Sequence, residues 1–152
     1  MTNFVFNPVV NAPPPDITSA ALGTGPAGLF AQADVGKPVK LGTANNYLLC
    51  AAGDEIAGFV FSLEAATVNN GFSFGAVQKN KRFVAKIDAA QLGTLVVGGL
   101  VAAGTQAILG TAQTEPVVQG LTPVATTVHK WQIIRIISGT GVAGDLILIE
   151  RV

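Results

Sequence analysis

The sequence predicts an all-β protein: a single small β-barrel or sandwich domain behind an extended N-terminal arm. Three observations carry that expectation. From Val39 onward, short runs rich in Val, Ile, Leu and Phe are punctuated by Gly, Asn and Asp turns, as closely spaced strands require. Between those runs there is no helical pattern, which argues against an α/β architecture. The first 35 residues differ in composition from everything after them.

That first segment, residues 1–35, carries Pro8, Pro13, Pro14, Pro15 and Pro26, and its only charges are Asp16 and Asp34. A Pro-Pro-Pro run is stiff and extended, and a poor member of a central strand. The segment is nevertheless apolar, with Phe4, Val5, Phe6, Val9 and Val10 ahead of Pro13, Pro14 and Pro15. It reads as an arm with anchors, made to lie on another surface. Ordering about 30 residues costs on the order of 30 kcal/mol. Offsetting this takes roughly 1,200 Å² of apolar burial, which neighbours in an assembly supply more readily than one small body.

The body, residues 36–152, offers strands at PVKLG, NYLLCA, EIAGFVFSLEA, FSFGAVQ, KRFVAKID, TLVVGGLV, QAILG, PVVQG, KWQIIRIIS and DLILIERV. Turns fall at Asn45-Asn46, Gly53-Asp54, Asn69-Asn70-Gly71, Gly104-Thr105 and Gly139 to Gly144. Only IDAAQLG, Ile87 to Gly93, suggests a helical turn. Ala-Gly-Asp or Ala-Gly-Thr steps at Ala52, Ala103 and Ala143 are unequally spaced, which reads as shared turn chemistry and not as a repeat. Two strands are apolar on both faces. Leu146 and Leu148 oppose Ile147 and Ile149, while Trp131, Ile133 and Ile137 oppose Ile134 and Ile136. Such strands are either central in a two-layer packing or covered by another subunit. Trp131, Ile133, Leu146 and Leu148 are therefore the candidate subunit interface.

Hydrophobic residues make up 49% of the 152 residues and charged ones only 12%, against a usual charged share of about 25%. Too few charges are present to coat the surface, which points to cover by other protein. The net charge is zero, so nothing draws the chain toward nucleic acid or an anionic membrane. No apolar run reaches the ~18 residues of a membrane span, and MTNFVFNPVVNAPPP has neither the basic start nor the apolar stretch of a secretory signal. Cys50, the single cysteine, reads as a small buried hydrophobe.

Candidate chemistry is sparse. GTGVAG, Gly139 to Gly144, matches the dinucleotide-binding pattern G-x-G-x-x-G, but a strand-like run, DLILIERV, leaves it where a helix is needed. GTGPAG, Gly23 to Gly28, matches the same pattern without flanking strands. His129 has no nucleophile motif beside it, and Asp54-Glu55 reads as turn chemistry. No metal-ligand spacing, cofactor loop or small-molecule substrate site is expected. The basic stretch QKNKRFVAK, with Lys79, Lys81 and Arg82, reads as a solvated hairpin loop, then as a contact for an acidic protein surface, and last as a phosphate grip.

GKPVKLGTANNYLLCAAGDEIAGFVFSLEA, FSFGAVQKNKRFVAKI and the terminal WQIIRIISGTGVAGDLILIERV together resemble the capsid decoration (cement) proteins of tailed bacteriophages, over residues 36–152. The resemblance implies a small β-barrel or β-tulip-like body and a non-enzymatic virion protein made in the host cytoplasm. It implies homotrimers at three-fold or quasi-three-fold positions outside the head, with the arm helping to grip the major capsid protein. Phe4, Val5, Phe6, Val9, Val10 and Pro13 to Pro15 then become the arm's shell contacts, and Lys79, Lys81 and Arg82 a charged one. A head-fibre or tail-fibre domain binding host glycans is the alternative.

Overall fold

A computed structural model of the chain describes residues 17–23, 29–44, 46–64, 73–79, 81–121 and 131–152. The strands are β1 (Ile17–Leu22), β2 (Pro38–Leu41), β3 (Asn46–Leu49), β4 (Gly58–Leu63), β5 (Ser73–Gln78), β6 (Arg82–Ile87), β7 (Leu100–Ala103), β8 (Val117–Gly120), β9 (Trp131–Ile136) and β10 (Leu146–Arg151). A 3-10 turn at Gln32–Asp34 precedes β2. The expected all-β, small-barrel class is what the chain adopts. The strands close into two five-stranded rings, β1-β3-β2-β4-β5 and β10-β6-β8-β7-β9, where one barrel was expected.

The two rings share one connectivity. In the first, β1 and β3 are parallel, while β3–β2, β2–β4, β4–β5 and β5–β1 are antiparallel. Adding five to each label gives the pairings of the second ring, including its single parallel pair, β6 and β8. The topology therefore repeats, contrary to the sequence reading. The Ala-Gly steps that looked repetitive sit at inequivalent places: between β3 and β4, at the end of β7, and between β9 and β10.

Each barrel is filled by the side chains that a period of two turns inward. The second core takes Ala85 and Ile87 from β6, Val101 and Ala103 from β7, Val118 from β8, Trp131 and Ile133 from β9, and Ile147 and Ile149 from β10. The first takes Leu22, Phe30, Val39, Tyr47, Val60 and Val77. Only Lys79, Asn80 and Lys81 separate β5 from β6, yet the barrels are not merely tethered. Cys50, Ile56 and Phe59 of the first barrel's strands and loops pack into the second core. Leu109, from the β7–β8 loop, packs against the first.

Several expectations are corrected. Residues 17–23 and 29–35 are not arm: β1 pairs with β5 along its whole length, Phe30 is buried, and the body begins by Ile17. QAILG forms no strand, and of TLVVGGLV only Leu100 and Val101 belong to one. Ile87–Gly93 makes no helix. The Asp88 carboxylate instead accepts the N–H of Ala90 at 2.9 Å and bends the chain there. Met1–Asp16, and with it Phe4, Val5, Phe6, Val9, Val10 and Pro13 to Pro15, lies outside the described residues, as do His129 and Asn69 to Gly71.

Candidate functional site

The glycine loop joins β9 to β10 as a turn, with positive φ at Gly139, Gly141 and Gly144. At Gly141 (φ +93°) a Cβ would also run into the carbonyl oxygen of Leu95, so glycine is required there twice over. Such a loop offers converging N–H groups, and an incoming phosphate could use them. Here they are taken. Asp145 Oδ2 accepts the N–H groups of Thr140, Gly141 and Val142 at 2.8, 2.9 and 3.0 Å. The chain supplies its own anion, and the loop is closed as a structural turn.

Those N–H groups, Val142 foremost, hold the Asp145 carboxyl below its ordinary value of 3.8 against opposing burial. At Asp88, burial pushes the carboxyl up. The N–H groups of Ala90 and Thr105, with the Thr105 hydroxyl, pull it further down, and the net is again below 3.8. A carboxylate with a depressed folded value contributes stability that is in place above its unfolded value and is lost as pH falls through the folded one. Denaturant midpoints should therefore hold steady down to about pH 4 and fall below it. Asp145→Asn should flatten that acid slope, and a slope unchanged in Asp145→Asn would show that the loop does not depend on the charge.

Between the barrels lies a groove of about 440 Å³ lined by Lys40, Leu41, Tyr47, the Asp54–Ala57 loop, Lys79 and Arg151. Two of its cations are engaged. Lys40 pairs with Asp54 at 2.7 Å, and Lys79 lies over the Tyr47 ring at 5.8 Å from its centroid. Asp54 also accepts the Ala51 N–H at 2.6 Å, the turn chemistry expected of it. Lys81 and Arg82 share another carboxylate. The β10–β6 register sets Glu150 opposite Arg82, and Glu150 lies 3.2 Å from Lys81 and 3.6 Å from Arg82. The structure thus splits Lys79, Lys81 and Arg82 between a cation–π contact and a shared carboxylate.

The candidate subunit interface is corrected. Trp131 and Ile133 are sealed in the second barrel's own core, Leu148 is buried, and Leu146 is half-buried. Trp131 also donates its indole N–H to the Ile56 carbonyl at 3.1 Å, across the two barrels. Cys50 is buried as expected, and burial with Asp54 nearby pushes its thiol far up, out of the range of thiolate chemistry. Among the described residues no three His, Cys, Asp or Glu side chains are grouped to hold a metal ion.

Two features escaped the sequence reading. The first is a buried ion pair. Asp34 and Lys37, both with 0% exposed side chains, meet at 2.6 Å. Lys37 Nζ also donates to the carbonyls of Ala107 (3.1 Å) and Ile108 (2.9 Å), and Asp34 accepts the N–H groups of Gly110 (2.8 Å) and Ala31 (2.7 Å). The second barrel's loop is thereby latched to the first barrel. The second feature is an exposed aliphatic end on the second barrel. Leu92, Val96 and Val97 are 90%, 63% and 59% exposed, and Ile137 and Val142 are exposed beside Gly141, which the Leu95 N–H contacts at 2.8 Å. Its signal was in the sequence: no ionisable residue occurs between Asp88 and Glu115, or between Arg135 and Asp145. No family model, curated protein or solved structure matches the chain.

Proposed function

We propose that the chain is a structural capsid decoration (cement) protein. In this reading it is a homotrimer on the outer surface of a tailed-phage head, binds the major capsid protein, stabilises the shell against packed DNA, and performs no reaction. The observation that supports this best is the surface. Both cores are sealed, yet large aliphatic side chains such as Leu92, Val96 and Val97 stay in water, as on a molecule completed by other protein. The resemblance of residues 36–152 to the decoration family supplies the kind of partner. Two barrels locked by a shared core make a stiff staple, and stiffness serves a protein whose effect comes from holding several sites at once. Stabilisation then follows from binding the assembled shell and not its separated subunits.

The glycan-binding alternative calls for exposed aromatic platforms over polar partners. The single Trp and the single Tyr, Trp131 and Tyr47, are both in cores, and the exposed aromatics among the described residues are Phe61 and Phe74, which bring no polar group of their own to a glycan. Added to purified heads that lack it, the full chain should co-sediment with them and raise the temperature at which they release DNA. A chain that stays in the supernatant at saturating concentration contradicts the reading. Deleting Met1–Pro15 should lower head occupancy at least tenfold while the circular dichroism melt of the body is unchanged. Equal occupancy would remove the arm's role.

A further inference from the structure

We infer that the uncharged end of the second barrel is the surface on which copies of this chain meet, each bringing Leu92, Val96, Val97, Ile137 and Val142 toward a shared symmetry axis. The inference rests on the homo-oligomer proposed above and not on the shell.

The end is built from two loops, and both are pinned. Leu95 donates its N–H to the Gly141 carbonyl at 2.8 Å, Gly98 to Ile133 at 2.7 Å, and Ile133 in return to Gly99 at 2.9 Å. Gln91 Oε1 accepts the N–H of Gly120 at 2.9 Å, and Asp145 holds the other loop. Leu95 and Ile136 pack inward against the second core, while Leu92, Val96, Val97, Ile137 and Val142 face water. A flexible loop would lose ordering entropy on association, whereas a pinned one presents its aliphatic groups already in place.

Area and charge identify the occupant. The five side chains expose on the order of 500 Å² of apolar surface, at the upper end of what a monomer carries. A stable interface takes about 800 Å² from each partner, which the neighbouring uncharged glycine, alanine and threonine residues can complete. The carboxylates that border these loops in sequence, Asp88 and Asp145, are turned into their own loops as acceptors. Arg135, exposed two residues before Ile137, stands at the rim of this end, and the loops themselves offer no charge for an acidic or basic partner to match. Apolar faces stripped of charge are the mark of permanent contacts between like chains.

The test is the mass of the full chain in solution, by light scattering over the micromolar range, for wild type and for Leu92→Glu/Val97→Glu. Wild type should run as a trimer. The variant should run as a single chain, with self-association at least a hundredfold weaker and a native far-UV circular dichroism spectrum, because both positions are exposed. As a second readout, Leu92→Cys should form intermolecular disulfides on mild oxidation, while the buried Cys50 of the wild type should not. An oligomeric wild type whose variant stays equally oligomeric, or a Leu92→Cys that does not cross-link, overturns this face and leaves the trimer standing. A wild type of single-chain mass at every concentration overturns both, whereas co-sedimentation with heads tests the shell separately.

Discussion

Replacing Trp131 by alanine is expected to lower the stability of the whole chain by about 3–5 kcal/mol, a fall of roughly 10 °C in melting temperature for a chain of this size. Trp131 fills the second barrel and meets Phe59 of the first edge-on, with ring centroids 5.5 Å apart. Phe59 in turn stacks on Phe83 at 3.8 Å, and each aromatic contact of this kind adds about 0.5–1.5 kcal/mol beyond its buried area. The substitution also strands the buried Ile56 carbonyl, which now accepts the indole N–H. Because the damage falls on a core that both barrels build, they should lose structure in one transition. Circular dichroism in urea reads this directly. Two separate steps, with the first barrel outlasting the second, would show the cores to be independent.

The second large effect is expected at the buried ion pair. Lys37→Ala leaves Asp34 charged and enclosed, and breaking a buried pair from one side costs about 3–5 kcal/mol. Asp34→Ala strands the ammonium and the Gly110 N–H in the same way. The double variant should lose less than the sum of the two, by on the order of 1–3 kcal/mol, since neither partner is then left alone. Hydrogen exchange supplies a local reading. The Gly110 amide, protected by Asp34, should exchange much faster in either single variant, while amides of β9 and β10 should rise only with the global change. Strict additivity, or a Gly110 amide that exchanges no faster, would count against the latch.

Much of the fold was legible because strands on a filled barrel must alternate. PVKLG, NYLLCA, FSFGAVQ, KRFVAKID, KWQIIRIIS and DLILIERV all contain the strands their pattern announces. β1 was not legible, since ITSAAL carries only two large apolar residues at its ends, and its place is fixed by pairing with β5. The error at TLVVGGLV and QAILG runs the other way. Apolar composition suggests strands there, but Val96, Val97 and Ile108 are apolar residues on exposed loops. The two-faced pattern of β9 leaves central packing and cover by a neighbour both open, and Trp131 and Ile133 are core. The repeat of topology was invisible because a barrel interior asks only for apolar volume, so equivalent strands such as β3 (NYLL) and β8 (VVQG) need share no residues. The Asp34–Lys37 pair had no signal beyond its spacing, since its partners Ala107, Ile108 and Gly110 lie 70 or more positions away.

A cryo-electron reconstruction of heads carrying this protein is the most direct test of the account. The expected map shows three double-barrel bodies around a local three-fold axis on the outer shell, with residues 92–97 of each copy converging on that axis. Bodies standing singly, or a shell with no such density beneath a head that still binds the chain, would contradict it.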